Sequence, residues 1–178
     1  MVALAQQNIL DQLAAGDAGN TAAKGVALEN VVEQTMCLID GVGLIHRNVE
    51  DVPGSMEIDL VLYNNQVKGV GLPFLPPLFI VECKNWAAPV DTATLRAFTS
   101  KVHRMKLKFG MLVAANGITG NADDVTAAHA HLRDVFNRDD EIILVVTRTE
   151  LCALTSTEEL GSLLRSKFGR FIMGMASF

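Results

Sequence analysis

Two runs of strand-forming residues, MEIDLVLYN at 56–64 and LFIVECK at 78–84, carry ionisable side chains in the middle of otherwise apolar stretches. Ionised groups in such a run cost on the order of several kcal/mol unless something pairs with them. Because side chains alternate along a strand, Ile80, Glu82 and Lys84 share one face of the second run and Val81 and Cys83 the other. Asp59 interrupts Ile58, Leu60, Val61 and Leu62 in the first run, and antiparallel pairing of the two neighbours would set Asp59 beside Glu82. Two carboxylates forced together repel, and one pKa rises strongly unless a cation sits between them. A hard divalent ion such as Mg2+, with Mn2+ as a substitute, suits the pair, since it takes oxygen ligands and needs only one or two carboxylates from the protein. The Cys83 backbone carbonyl could add a ligand, whereas its thiol faces the other way. Lys84 would then border the ion, placed to orient an attacking water or to neutralise charge developing on a phosphorane. The chemistry this set suits is phosphodiester cleavage.

The remaining sequence supplies the frame. From Val26 to Ile39, apolar residues recur at three- and four-residue steps, the period of an amphipathic helix, which carries Glu29 and Glu33. Residues 44–49 read as a first strand, and the turn-prone 50–55 lead into the second at 56–64, with the third at 78–84. Asp91 or Thr92 can cap a helix running through LRAFTSKVHRMKLK. A buried strand at 109–115, a helix from Asn121 to about Asn137, a strand at 141–147 and a helix at 157–168 complete the order α-β-β-β-α-β-α-β-α. The expected architecture is α/β, with a mixed central sheet covered by helices. A short helix around Leu4–Leu13 followed by the loose GDAGNTAAKG reads as a flexible or helical lead-in over 1–24, ahead of one domain at 25–178.

In order and in context, these pieces resemble the PD-(D/E)XK nuclease superfamily, and within it the catalytic domains of Mrr-like type IV restriction endonucleases. The resemblance rests on Glu29 in KGVALENVVEQ, "EIDLV", "VECKNW", the helix LRAFTSKV, the strand and turn GMLVAANGITGNA and the late strand EIILVV, and it covers about residues 25 to 150. It implies a restriction-endonuclease-like fold, Mg2+-dependent hydrolysis of DNA, and frequently a homodimer. By position, Asp59 and Glu82 would ligate metal, Lys84 would be the catalytic lysine, and Glu29 the helix-borne acidic residue that some members add. The proline of the name-giving motif is absent before Asp59, where Glu57-Ile58 stand, and Glu57 is an alternative carboxylate. Many relatives carry a glutamine on the helix after the third strand; here Lys101 is the candidate for that place.

Composition narrows the partners. A net charge of −5 argues against broad adhesion to nucleic acid or anionic lipid, so any DNA contact must be local. Lys101, Arg104 and Lys108 fall at helical steps and form a candidate stripe for a phosphate backbone, with a solvated face as the other reading. No apolar run approaches the roughly 18–20 residues of a membrane span, and the N-terminus lacks a signal-peptide pattern; the expected location is cytoplasmic. Cys37, Cys83 and Cys152 are widely spaced in apolar company and read as buried, reduced thiols. The four histidines form no metal-spaced set with cysteine. Trp86 is expected to pack under the helix that follows, with stacking on a base as the minor alternative. The apolar connector GLPFLPPLF, with Leu72, Phe74 and Leu75, reads as an exposed patch for self-association rather than a cap on the core. So short a chain leaves little room for a sequence-reading module, which implies weak specificity or a separate partner protein.

Overall fold

A computed structural model describes residues 2–50, 54, 56–121 and 126–175. Its order is α1 (Gln6–Asp17), α2 (Thr21–Cys37), β1 (Val42–Glu50), β2 (Glu57–Asn64), β3 (Leu78–Lys84), α3 (Thr92–Arg104), β4 (Phe109–Ala114), α4 (Ala128–Asp139), β5 (Ile142–Thr147), α5 (Arg148–Ala153) and α6 (Thr157–Ile172). One sheet runs β1-β2-β3-β4-β5. Its first three strands are antiparallel, while β3, β4 and β5 are parallel, the mixed sheet that the sequence predicts. Leu60, Leu62, Phe79, Ile80, Val81, Leu112, Val113, Leu144 and Val145 are buried, so residues of both faces of the central strands lie in the core, as parallel strands covered on two sides require.

Helix α2 begins where the Asn20 side chain accepts a hydrogen bond from Ala23 N at 3.0 Å, satisfying one of the free amides of its first turn. Its Ala27, Leu28, Val31, Val32 and Met36 stripe is buried, and Gly41, at φ +85°, turns the chain into β1. Helix α3 starts with Asp91 accepting from Thr94 N at 2.8 Å and buries Leu95, Phe98, Thr99 and Val102. It lies close to the sheet because β4 presents Gly110. A Cβ there would stand 2.8 Å from Val102 Cγ2 and 2.9 Å from Phe98 Cζ, inside van der Waals contact.

Several expectations are corrected. The lead-in takes the helical of its two expected forms, with α1 running to Asp17, but the segment read as loose is a short turn, since α2 already starts at Thr21. Ile9 and Leu13 are buried, and Leu4 N bonds Thr155 O at 2.8 Å, which ties the N-terminal segment to the approach to α6. The connector after β2 is not an exposed patch, since Leu72 and Leu75 are buried and Phe74 stacks edge-on against Phe168 with centroids 5.4 Å apart. The cause is Asn64, whose buried amide donates to the carbonyls of Leu72 at 2.9 Å, Leu75 at 3.1 Å and Pro76 at 3.3 Å, folding the loop over the core. Helix α3 ends at Arg104 and not at Lys108, with Lys106 at φ +56°. Helix α5 was not anticipated; its sign is the capping box Thr147-x-x-Glu150. All three cysteines are free, but Cys37 is exposed and only Cys83 is fully buried. The predicted turn at 50–55 and the predicted start of α4 fall largely on residues outside those described.

Candidate active site

Strands β2 and β3 pair from Tyr63↔Leu78 to Leu60↔Val81, a register that carried one step further sets Asp59 against Glu82. Here a side chain takes over from the ladder. The Cys83 backbone N–H donates to Asp59 Oδ2 at 2.6 Å, so the carboxylate bridges the two strands where backbone pairing stops. Strand carbonyls alternate in direction, and Lys84 O is bonded by Ala115 N on the β4 side at 2.9 Å. The Cys83 carbonyl therefore points to the β2 side, along with its N–H.

Asp59 and Glu82 are both buried. Desolvation first, and the Glu82 charge second, push the Asp59 carboxyl from 3.8 up to about 6, against the opposing pull of the Cys83 N–H and Lys84. Glu82 is held by two ammonium groups: Lys84 Nζ lies 2.7 Å from Oε1 and Lys101 Nζ lies 2.7 Å from Oε2. Burial alone would lower the Lys84 pKa, but the charge and hydrogen bond of Glu82, with Asp59 behind them, leave it raised. Lys84 is thus a charged ammonium at neutral pH.

Glu29 approaches from α2. Arg47 on β1 holds it at 3.1 Å, while also reaching Glu33 at 3.2 Å and Asn30 Oδ1 at 2.6 Å. The two glutamates then part company: the Glu29 charge acts on Asp59 and Cys83, and that of Glu33 on Cys37. Glu57 is exposed and registers with Glu50 of β1.

The structure therefore brings Asp59, Glu82, the Cys83 backbone and Lys84 into one cluster, with Glu29 within electrostatic reach. Lys101, which the sequence offered both for the place of a missing glutamine and for a phosphate-contacting stripe, joins it through Glu82. Arg47 was missed altogether, because a β1 arginine pairing with an α2 turn leaves no local pattern. The stripe of Lys101, Arg104 and Lys108 is not one helical face. Lys101 turns inward to Glu82, and Lys108 lies beyond the end of α3, donating to Asp139 O at 2.6 Å. Trp86 is not buried as expected: the residue is 41% exposed, with Lys84 Nζ 5.9 Å from its ring centroid.

A second group of metal-competent side chains lies at the amino ends of the parallel strands, where His103, Asp139 and Glu141 bring ligand atoms within 4.8 Å of one another. Asp139 and Glu141 stand two residues apart between α4 and β5, while His103 comes from α3, a separation that hides the trio from a local spacing rule. Their ligand atoms are already engaged: Arg138 chelates Asp139 Oδ2 at 2.9 and 2.7 Å, and His103 Nδ1 lies 2.7 Å from Glu141 Oε1.

The donor set at the first cluster fits a hard divalent ion. It offers two carboxylates and a backbone carbonyl, all oxygen, with the Asp59 carboxyl buried beside the like charge of Glu82. Among the described residues no helix is long and apolar enough to cross a membrane. A search of curated proteins gives no match to the chain. The family model Mrr_cat, described as restriction endonuclease, matches residues 22–155, a span that contains every residue of this cluster. The chain belongs to the Mrr_cat restriction endonuclease family.

Proposed function

We propose that the chain is a divalent-metal-dependent endonuclease that hydrolyses DNA phosphodiester bonds, with Mg2+ as its ion and Mn2+ as a substitute. The observation that carries the reading is the buried Asp59 carboxyl, raised to about 6 beside Glu82 and bordered by a charged lysine. Asp59, Glu82 and the Cys83 carbonyl would hold the ion. When bound, it supplies Lewis-acid stabilisation to the phosphoryl oxygens. In the hydrolysis, a water oxygen bonds to phosphorus and gives up a proton to solvent, the bond to the leaving deoxyribose oxygen breaks and that oxygen takes up a proton, and negative charge builds on the non-bridging oxygens in between. Lys84 uses one of its three N–H donors on Glu82, which leaves donors for that charge and for orienting the water. As an ammonium it can donate a proton but has no lone pair to accept one, so it does not serve as the base. Lys101 positions Glu82 from the opposite oxygen, and Glu29 enters as a nearby negative charge.

The role is in restriction or defence, or in DNA repair, and the family resemblance suggests a homodimer and a separate partner that supplies specificity. A second reading has support in one observation: both oxygens of Glu82 are already neutralised by lysines, so the cluster is stable to that extent without an ion. That reading is a silent nucleic-acid-binding module. Incubation of supercoiled, linear, single-stranded and branched DNA with Mg2+ or Mn2+ separates the two. The nuclease cuts at least one substrate and Lys84→Ala abolishes the cut, whereas equal products from variant and wild type defeat the catalytic proposal.

A further inference from the structure

A concavity of about 480 Å³ adjoins the cluster at the carboxyl ends of β3, β4 and β5, with Lys24, Trp86, Asn116 and Arg148 in its wall. Its size falls within the range of about 300–1,000 Å³ usual for small-ligand sites. Trp86 is the only tryptophan of the chain, and it is held out in the open when burial of so large a ring would be favourable. Its backbone is fixed on two sides. Asn116 Nδ2 donates to Trp86 O at 2.6 Å and Ala87 O at 3.2 Å, and the neighbouring Asn85 Nδ2 donates to Lys24 O at 2.9 Å. Trp86 thus lines the concavity from a braced loop, 41% exposed, with the ammonium of Lys84 over its ring 5.9 Å from the centroid.

The charges of the wall suit a phosphate. In a chain with a net charge of −5, the concavity sets Lys24 and Arg148 against one carboxylate, Asp17. Asp17 is spent on Arg148 at 2.6 Å, while Lys24 has no ion-pair partner among the described residues.

We propose that this concavity is a subsite for an unpaired nucleotide next to the scissile phosphate, its base stacked on Trp86 and its phosphate drawn to Lys24. The inference rests on the nuclease reading and narrows its substrate to DNA with a single-stranded or extruded nucleotide at the cut. A base inside an intact duplex has no free face to offer the ring, whereas stacking is tolerant of base identity.

The test uses Trp86 fluorescence in the full chain, with chelator present so that no cleavage occurs. Short oligothymidylate should quench the emission saturably, while an abasic oligomer of equal length and a blunt duplex should not. Trp86→Ala should weaken oligothymidylate binding, read by anisotropy, by about tenfold or more, with Trp86→Phe retaining most of it. Lys24→Ala should reduce the salt dependence of binding by about one phosphate contact. Oligothymidylate binding that leaves the emission unchanged, equal quenching by the abasic oligomer, or no binding at all overturns the proposal. Cleavage with Mg2+ is scored separately. Quenching without any cleavage keeps the subsite and removes the nuclease, and cleavage without quenching does the reverse.

Discussion

The carboxylate of Asp59 and the backbone N–H of Cys83 meet at 2.6 Å across two strands whose own ladder has ended at Leu60↔Val81. A side chain thereby does the pairing of a backbone and is buried in doing so. The strain of the arrangement is electrostatic: the carboxyl lies close to Glu82, away from water, and its pKa rises to about 6.

That rise fixes a pH dependence of stability. The folded pKa lies above the unfolded value, so the fold bears no penalty from Asp59 below about pH 4. It bears the full penalty above about pH 6, where a gap from 3.8 to about 6 corresponds to about 3 kcal/mol. Asp59→Asn keeps an acceptor for Cys83 N–H and removes the charge. Chemical denaturation in chelator should show the variant more stable than wild type by up to about 3 kcal/mol at pH 7.5, with the gain vanishing near pH 4.

Lys101 and Lys84 flank the same carboxylate but face different tasks. Lys101→Met should leave substrate affinity within about threefold and lower turnover by about 10- to 100-fold, because Glu82 loses one of its two restraints. Lys84→Met should lower turnover by at least about 100-fold, the loss typical of a donor aimed at developing charge. Single-turnover cleavage of a defined substrate measures both.

Glu29 and Glu33 share Arg47 yet differ in what their charges reach. Glu29→Gln removes a charge that raises the Asp59 pKa, so the acid limb of the activity profile should move to lower pH. Glu33→Gln should leave that limb in place. Cleavage rates between pH 5 and 8 distinguish the two.

Gly110 controls how close α3, and with it Lys101, comes to the sheet. Gly110→Ala puts a methyl where Val102 Cγ2 and Phe98 Cζ already stand, 2.8 and 2.9 Å away. The expected cost is about 1–3 kcal/mol in urea unfolding, accompanied by a drop in turnover as Lys101 is pushed off Glu82.

Much of this site was legible because it is built from alternation. Once 56–64 and 78–84 are read as adjacent antiparallel strands, the facing of Asp59 and Glu82 follows from the two-residue period, and Lys84 follows from Glu82. The helix-borne residues were harder. Glu29 and Glu33 are one turn apart on a helix with no sequence mark to rank them, and only the direction of α2 over the sheet separates them. Where reasoning failed, long-range polar contacts had decided the outcome. Asn64 gathers three carbonyls from a connector that composition alone would leave on the surface, and two asparagines brace Trp86 outward where its apolar bulk suggested burial. The stripe at 101–108 failed for a simpler reason: the periodicity continues in the sequence after the helix has stopped at Arg104.

In the proposed nuclease, Asp59 and Glu82 share one divalent ion. Titration of the metal-free chain with Mn2+, followed by the loss of the free-ion paramagnetic resonance signal at pH 7.5, tests it most directly. The expected result is a bound ion that Mg2+ displaces, that disappears in Asp59→Asn and in Glu82→Gln, that survives in His103→Ala, and that weakens as pH falls through about 6. Mn2+ binding of equal strength in wild type, Asp59→Asn and Glu82→Gln, or none in the wild type, would contradict it.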